Sequence, residues 1–493
     1  MPSIDKNWDV VVVGSGLGGL SAAAQLATSG KKVLVLEKHV FAGGYAHHFP
    51  RRVRGTRILY DFDVALHQTG NLKPGRNTYK RFKELGVLDK LELREFDIAY
   101  RTIGPDHDFE VPAAAADYQE KLIASYPHEA KGIAGLFETF RRIEASSEEI
   151  SPEAIASMDL SVAELVDQHN IQDERVIAII CTLWGYLGSI PSRISAFLFA
   201  QMWCSYHLGG CFYFKGGGQS LSDAFVEIIE ENGGKVRRRN EVKNILTNSN
   251  GAITGVETKK GLTYLAPQVI SNASVPLTFN KLLDNQALGD AERTLDKTLP
   301  VAVSISQAYI GIRGDASKLG LDDRGRFCES SYGYDAQWEA IQAGDFKNTN
   351  CLLGNHNLAD PGHHPKGRSI LHVTQLANGV LWMDLDKKVY RERKRELQEF
   401  LIDRLADAIP DVRDRIEVCE VGTPHTMARY TANPQGSIYG YASEKGSHTI
   451  HRPAPRTSVS GLYLAGAWTF PGPGFEGAMA SGFNTANEIL EDA

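Results

Sequence analysis

The sequence has no excess of positive charge. Lysine and arginine number 53 against 60 aspartates and glutamates, giving a net charge of −7. Nothing in that balance neutralises a phosphate backbone, so no nucleic-acid partner is expected. Cysteine is scarce, with 6 in 493 residues. None of Cys181, Cys204, Cys211, Cys328, Cys351 and Cys419 forms a C-x-x-C pair, so reduced thiols in a cytoplasmic setting are expected and a disulfide scaffold is not. The start, Met1–Trp8, has no basic stretch followed by an apolar one, and no secretory signal is expected there. No run reaches the ~18 apolar residues of a membrane-spanning helix. Internal repeats and low-complexity tracts are also missing.

Glycine is what the chain has in excess, 47 of 493 residues against ~7% on average. The length fits two or three domains. Val10-Val11-Val12-Val13 has the continuous apolar character of a buried parallel strand. Gly14-Ser15-Gly16-Leu17-Gly18-Gly19 follows, then a small-residue helix from Leu20 to Ser29, with Gly30 as its stop. Val33–Leu36 is a second buried strand, ending at Glu37 and Lys38. This is a βαβ unit carrying G-x-G-x-x-G and a terminal acid. Gly14 permits the tight turn, Gly16 the approach of a pyrophosphate, and Gly19 close helix–strand packing. The helix N-terminus stabilises the phosphate charge, and Glu37 accepts from ribose hydroxyls.

That unit alone leaves FAD and NAD open. The other end of the chain favours FAD. Gly461–Thr469 is a short strand running into glycines, and Pro471–Gly482 opens a last helix. Backbone donors at such a helix start suit the flavin edge that gains negative charge on reduction.

Further segments carry a family likeness: Gly43-Gly44-Tyr45-Ala46-His47-His48-Phe49, Phe62-Asp63-Val64-Ala65-Leu66-His67-Gln68-Thr69-Gly70, Gly216-Gly217-Gly218, Ser271-Asn272-Ala273, and Thr423 to Gly440. With the two ends, they resemble the FAD-dependent phytoene desaturase superfamily, and within it the carotenoid isomerase and retinol saturase branch. The resemblance implies that Val242 contacts the adenine side, that Gly43, Gly44 and Tyr45 lie beside the flavin, and that Gly466 and Ala467 face the ribityl chain. Gly474, Phe475, Glu476, Gly477 and Ala478 complete that wall. Two positions depart from the family pattern: Ala65 stands where it has glycine, and Glu476 where carotenoid desaturases often have proline.

From Val176 to Phe214 the one formal charge is Arg193. Ile190-Pro191-Ser192-Arg193 splits the stretch into two apolar segments. They form either a buried helical core or the wall of an apolar substrate tunnel, with contact to a membrane surface left open. Residues ~80–175 read as mostly helical, ~300–385 as strand-rich, and Lys387–Ile409 as an amphipathic helix. The expected fold is α/β, with a discontinuous Rossmann-like FAD domain (1–75, 210–290 and 455–493), a helical substrate or lid region (76–209) and a mixed substrate domain (291–454).

The expected function is FAD-dependent saturation, desaturation or cis–trans isomerisation of carbon–carbon bonds in a long apolar polyene such as a carotenoid, retinoid or fatty-acyl chain. An amine oxidase-like enzyme releasing peroxide and a non-catalytic FAD-containing lipid carrier are the alternatives. A homodimer and a peripheral membrane contact stay open. Among candidate catalytic residues Glu476 comes first, expected just before a helix N-terminus in a dry slot where its pKa rises. A helix-cap role is the alternative. His67, Tyr439 and Arg429 follow, as groups lining the slot or holding a polar end. His47-His48 and His363-His364 show neither i+4 spacing nor a carboxylate partner, so no metal is expected.

Overall fold

The computed structural model describes residues 4–5, 8–145, 152–283 and 289–492. Met1–Ser3, Lys6 and Asn7, on which part of the reading of the chain's start rests, lie outside them. A five-stranded parallel sheet is ordered Lys235–Arg237, Val33–Leu36, Val10–Val13, Gln268–Ser271, Leu462–Leu464. Its strands come from both ends and the middle of the chain. Val10–Val13 and Val33–Leu36 are buried throughout, as continuous apolar runs require in a sheet covered on both faces. The helix Leu17–Thr28 lies on the sheet beside Gly217–Glu231 and the last helix, Gly474–Glu491. First and last helices approach so closely that a Cβ at Gly482 would stand 2.1 Å from the Gly18 carbonyl oxygen.

A seven-stranded sheet makes the second layer, ordered Ile416–Gly422, Ser304–Arg313, Arg368–Ala377, Cys351–Asn355, Gly325–Cys328, Ile98–Ile103, Asp108–Pro112. The last two strands, with Leu93–Phe96, correct the expectation of a mostly helical span over ~80–175. They are strands because they pair with distant segments: Ile98–Ile103 runs parallel to Gly325–Cys328 and Leu93–Phe96 antiparallel to Cys211–Phe214. Lys387–Ala406 packs Leu397, Leu401 and Leu405 against this layer.

The charge-poor stretch forms helices Glu174–Cys181 and Ala196–His207. Different faces of it serve a buried core and a cavity wall. Phe199, Ala200, Trp203 and Cys204 are fully buried, with Trp203 against Phe137 and Phe140. Phe197, Leu198, Gln201, Met202, Ser205 and Tyr206 line a cavity. The split follows the helical period. Among the described residues no helix is long and apolar enough to cross a membrane.

Candidate active site

A continuous cavity of about 1790 Å3 runs from the glycine turn after Val13 to the helical sector. Gly14, at φ +91°, turns the chain there. A Cβ at Gly16 would stand 2.6 Å from Asn272 Nδ2, and one at Gly18 2.6 Å from the Gly466 Cα. These glycines therefore serve packing against Asn272 and Gly466 as well as ligand approach. Gly14, Gly16, Leu17 and Gly18 line the cavity, with Glu37, Lys38 and Val242 further along the same end. Ser15, Gly19 and Gly466 stand behind the wall. Ser15 is buried and donates its N–H (2.9 Å) and hydroxyl (2.7 Å) to Glu37 Oε2. His39 N–H donates to Glu37 Oε1 at 2.7 Å. A carboxylate offers about four lone-pair sites, so one remains for a ligand hydroxyl.

Beyond that end the wall continues through Gly43, Gly44 and Tyr45 to Ala467 and then Gly474, Phe475, Glu476, Gly477 and Ala478. The glycine turn, a buried acid at a strand end and a second helix start at Gly474 lie along one groove. These residues fit FAD, whose pyrophosphate and flavin edge both need backbone donors.

Glu476 lies inside the first turn of the last helix, whose N-cap is Pro473. This corrects the expectation that it precedes the helix. Its exposed surface opens into the cavity. Gly70 N–H (3.0 Å) and Ser205 Oγ (2.7 Å) donate to Oε1, and Asn71 Nδ2 (3.1 Å) and Ser205 Oγ (2.8 Å) to Oε2. Burial raises its pKa, and those bonds oppose the rise. Glu476 thereby ties the 70–71 loop and the helix Ala196–His207 to the last helix.

His67 lines the cavity, stacked at 4.4 Å on His372. Its Nδ1 is 3.5 Å from the Tyr186 hydroxyl and its Nε2 is buried without a partner among the described residues. Burial, then the nearby His356, lower its pKa to about 4, so the ring is neutral at physiological pH. Asp63 shapes the approach to it. That buried carboxylate accepts from the N–H groups of Ala65, Leu66 and Gly218 and pairs with His48. Ala65 takes no positive φ, so alanine serves where the family has glycine.

Tyr439 lines the cavity and donates to the Gly185 carbonyl at 3.2 Å, with its pKa raised by burial. Arg429 lies at the rim, exposed, against the Tyr430 ring. The histidine pairs need a correction. His48 does have carboxylate partners, Asp63 at 3.1 Å and Asp61 at 3.4 Å, and His363 approaches Asp61 at 3.8 Å. Burial would lower the His48 pKa, but these two bonds outweigh it and push it up to about 10. His48 is thus held as one cation of an ion pair.

Sequence reasoning missed three groups. Asn272 was noted within Ser271-Asn272-Ala273 but not as the wedge against the glycines. Arg452 is buried and donates to the carbonyls of Ala467 (2.6 Å), Tyr441 (2.5 Å) and Tyr439 (3.4 Å). Glu329 and Asn350 line the cavity far from the glycines in sequence. Arg452, Glu329 and Asn350 carry no motif signal.

The sequence profile described as flavin containing amine oxidoreductase matches residues 17–490. The all-trans-retinol 13,14-reductase of Danio rerio is 29% identical over 545 residues, covering 99% of this chain and 86% of that protein. Prolycopene isomerase 1, chloroplastic, of an Oncidium hybrid cultivar is 26% identical over 529 residues, covering 99% of this chain and 84% of that protein. The crystal structure of an oxidoreductase from Methanosarcina mazei superposes with a TM-score of 0.65 at 19% identity, over 99% of this chain and 100% of that one, and shows the fold.

Proposed function

The chain belongs to the flavin containing amine oxidoreductase family, and from that footing we propose that it holds FAD and acts on carbon–carbon bonds of a long apolar polyene. The reaction class is saturation, desaturation or cis–trans isomerisation. The observation that carries the reading is the cavity's inner arm, lined by Trp184, Leu187, Phe197, Leu198, Met202 and Ile438 and continuous with the groove that fits the cofactor. The two relatives named for retinol and prolycopene support the same substrate class.

Bound FAD supplies hydride chemistry at carbon. The chain's own residues supply placement. The starts of the helices at Leu17 and Gly474 would hold the anionic parts of the cofactor, and Glu37 would accept from its ribose hydroxyls. The apolar arm aligns the polyene and excludes water. Neutral His67 carries one N–H and one lone pair, and near pH 7 it is not an imidazolium acid. Three donors, the Gly70 N–H, the Asn71 amide and the Ser205 hydroxyl shared between the two oxygens, support an anchoring role for Glu476. A substrate that partitions into lipid supports peripheral membrane contact.

The test is anaerobic mixing of the FAD-loaded protein with all-trans-retinol, prolycopene and a panel of amines. A flavin absorbance change or a chromatographic product with a polyene is expected. Peroxide from amines in air, with no polyene product, refutes the reading.

A further inference from the structure

We infer that the inner end of the cavity is a receptor for a neutral oxygen function, so that the polyene acted on ends in an alcohol or aldehyde rather than in bare hydrocarbon. This rests on the reading that the cavity takes a polyene.

Glu329 follows the strand Gly325–Cys328 and Asn350 precedes the strand Cys351–Asn355. Cys328 pairs with Cys351, which makes the two residues neighbours. Asn350 Oδ1 accepts from the Ser330 N–H (2.8 Å) and hydroxyl (3.2 Å). Its Nδ2 must then be the end that donates to Glu329 Oε2, at 2.7 Å. Glu329 Oε1 has no partner among the described residues, and Glu329 lines the cavity. Burial and the Asn350 hydrogen bond are the influences on its charge, with no lysine or arginine among them. The titratable groups that face it are Cys181, Tyr332 and Tyr334. Burial pushes the Glu329 pKa up to about 8, so the carboxyl keeps its proton at neutral pH. Since Oε2 is the acceptor for Asn350, Oε1–H is the donor available to a cavity occupant. An unpartnered donor on the wall of a largely apolar cavity favours a ligand that brings an oxygen there.

The spacing suits one elongated molecule. Asn350 lies four residues before Gly354, which pairs with His372, and His67 stacks on His372. At ~3.3 Å per residue, the oxygen receptor lies about 13 Å along the sheet from the His67 row.

The experiment measures binding of all-trans-retinol and of its deoxy hydrocarbon to the FAD-loaded protein by fluorescence quenching. Wild type is expected to bind retinol at least ~10-fold more tightly than the hydrocarbon. Glu329→Leu should equalise the two, and Glu329→Gln, which keeps a donor, should retain the preference. Equal binding in wild type, or an unchanged preference in Glu329→Leu, overturns the inference and leaves the polyene reading standing. Binding of neither probe overturns both. A second measurement needs no variant. All-trans-retinal only accepts hydrogen bonds, so its affinity should fall up to ~10-fold per unit as pH rises above about 8. Cys181, Tyr332 and Tyr334 have raised pKa values and stay protonated in that range. Affinity unchanged between about pH 7 and about pH 9 overturns the inference.

Discussion

Replacing Glu329 by glutamine should make the protein more stable at neutral pH, and the size of the gain follows from its burial. The carboxyl titrates at about 8 in the folded chain against an ordinary value of 4.5. At about pH 7.5 the unfolded chain is ionised there and the folded chain holds a proton. Folding then costs about three pH units times 1.36 kcal/mol, or about 4 kcal/mol. Glutamine keeps an acceptor for Asn350 Nδ2 and never ionises, so most of that cost disappears. Unfolding entropy of ~2.1 cal/mol/K per residue amounts to about 1 kcal/mol/K for a chain of 493 residues. The melting temperature of Glu329→Gln should therefore exceed that of wild type by about 3–4 °C. The sign of its pH dependence is fixed. Below about pH 4.5 both states of the wild type are protonated and the advantage vanishes; it grows as pH rises and levels off above about 8. Other titrating groups, including His48 and the buried histidines, are common to both proteins and cancel in the difference. Differential scanning fluorimetry of the two FAD-loaded proteins in parallel buffers reads it directly. Equal melting temperatures at about pH 7.5, or an offset that does not shrink on acidification, would refute the reasoning.

Glu476→Gln weakens bonds from Gly70, Asn71 and Ser205 and should lower the melting temperature by about 2–3 °C with turnover kept within about three-fold; a loss beyond ~100-fold would instead make Glu476 a proton donor. Gly18→Ala forces a Cβ to 2.6 Å from Gly466. It should destabilise by about 1–3 kcal/mol and weaken FAD retention, measured by flavin released on gel filtration; full FAD occupancy would count against the packing argument. Arg452→Gln strips donors from the carbonyls of Ala467, Tyr441 and Tyr439. It should cost about 2–4 kcal/mol in chemical unfolding, and an unchanged denaturation midpoint would refute its clasp role.

The βαβ unit was legible in the sequence because its signals are local: one apolar run, three spaced glycines and one acid within a few tens of residues. The strands between Leu93 and Pro112 were not. Short and half exposed, they are defined by pairing across the chain, as Arg101 with Arg326 and Arg94 with Tyr213. Glu476 could be placed beside the cofactor groove from its glycine neighbours. Its role could not be read, because Gly70, Asn71 and Ser205 stand 271 to 406 residues away along the chain. The carboxylates around His48 illustrate the same point at short range: Asp61 and Asp63 reach it only because His48–Arg52 and Leu59–Asp63 form a hairpin that pairs His48 with Asp63. Glu329 and Asn350 have no motif at all, and only the register of two strands brings them together.

The cavity contains titratable groups at both the His67 row and the inner end, yet burial drives each toward its neutral form. The imidazole of His67 falls to about 4 and the carboxyl of Glu329 rises to about 8. Between those values an apolar chain meets neither an imidazolium nor a carboxylate at those two positions, so its entry requires no desolvation of an ion there. Both groups retain the ability to hydrogen-bond, one through an imidazole nitrogen and one as a donor at Oε1. A long apolar molecule with one oxygen satisfies the donor, places its chain along the strands toward His67, and leaves the rest of the arm in apolar contact. A pure hydrocarbon would leave the Glu329 donor without an acceptor after water has been expelled. That unfavourable state, more than any attraction, is what sets the expected preference for an oxygenated polyene.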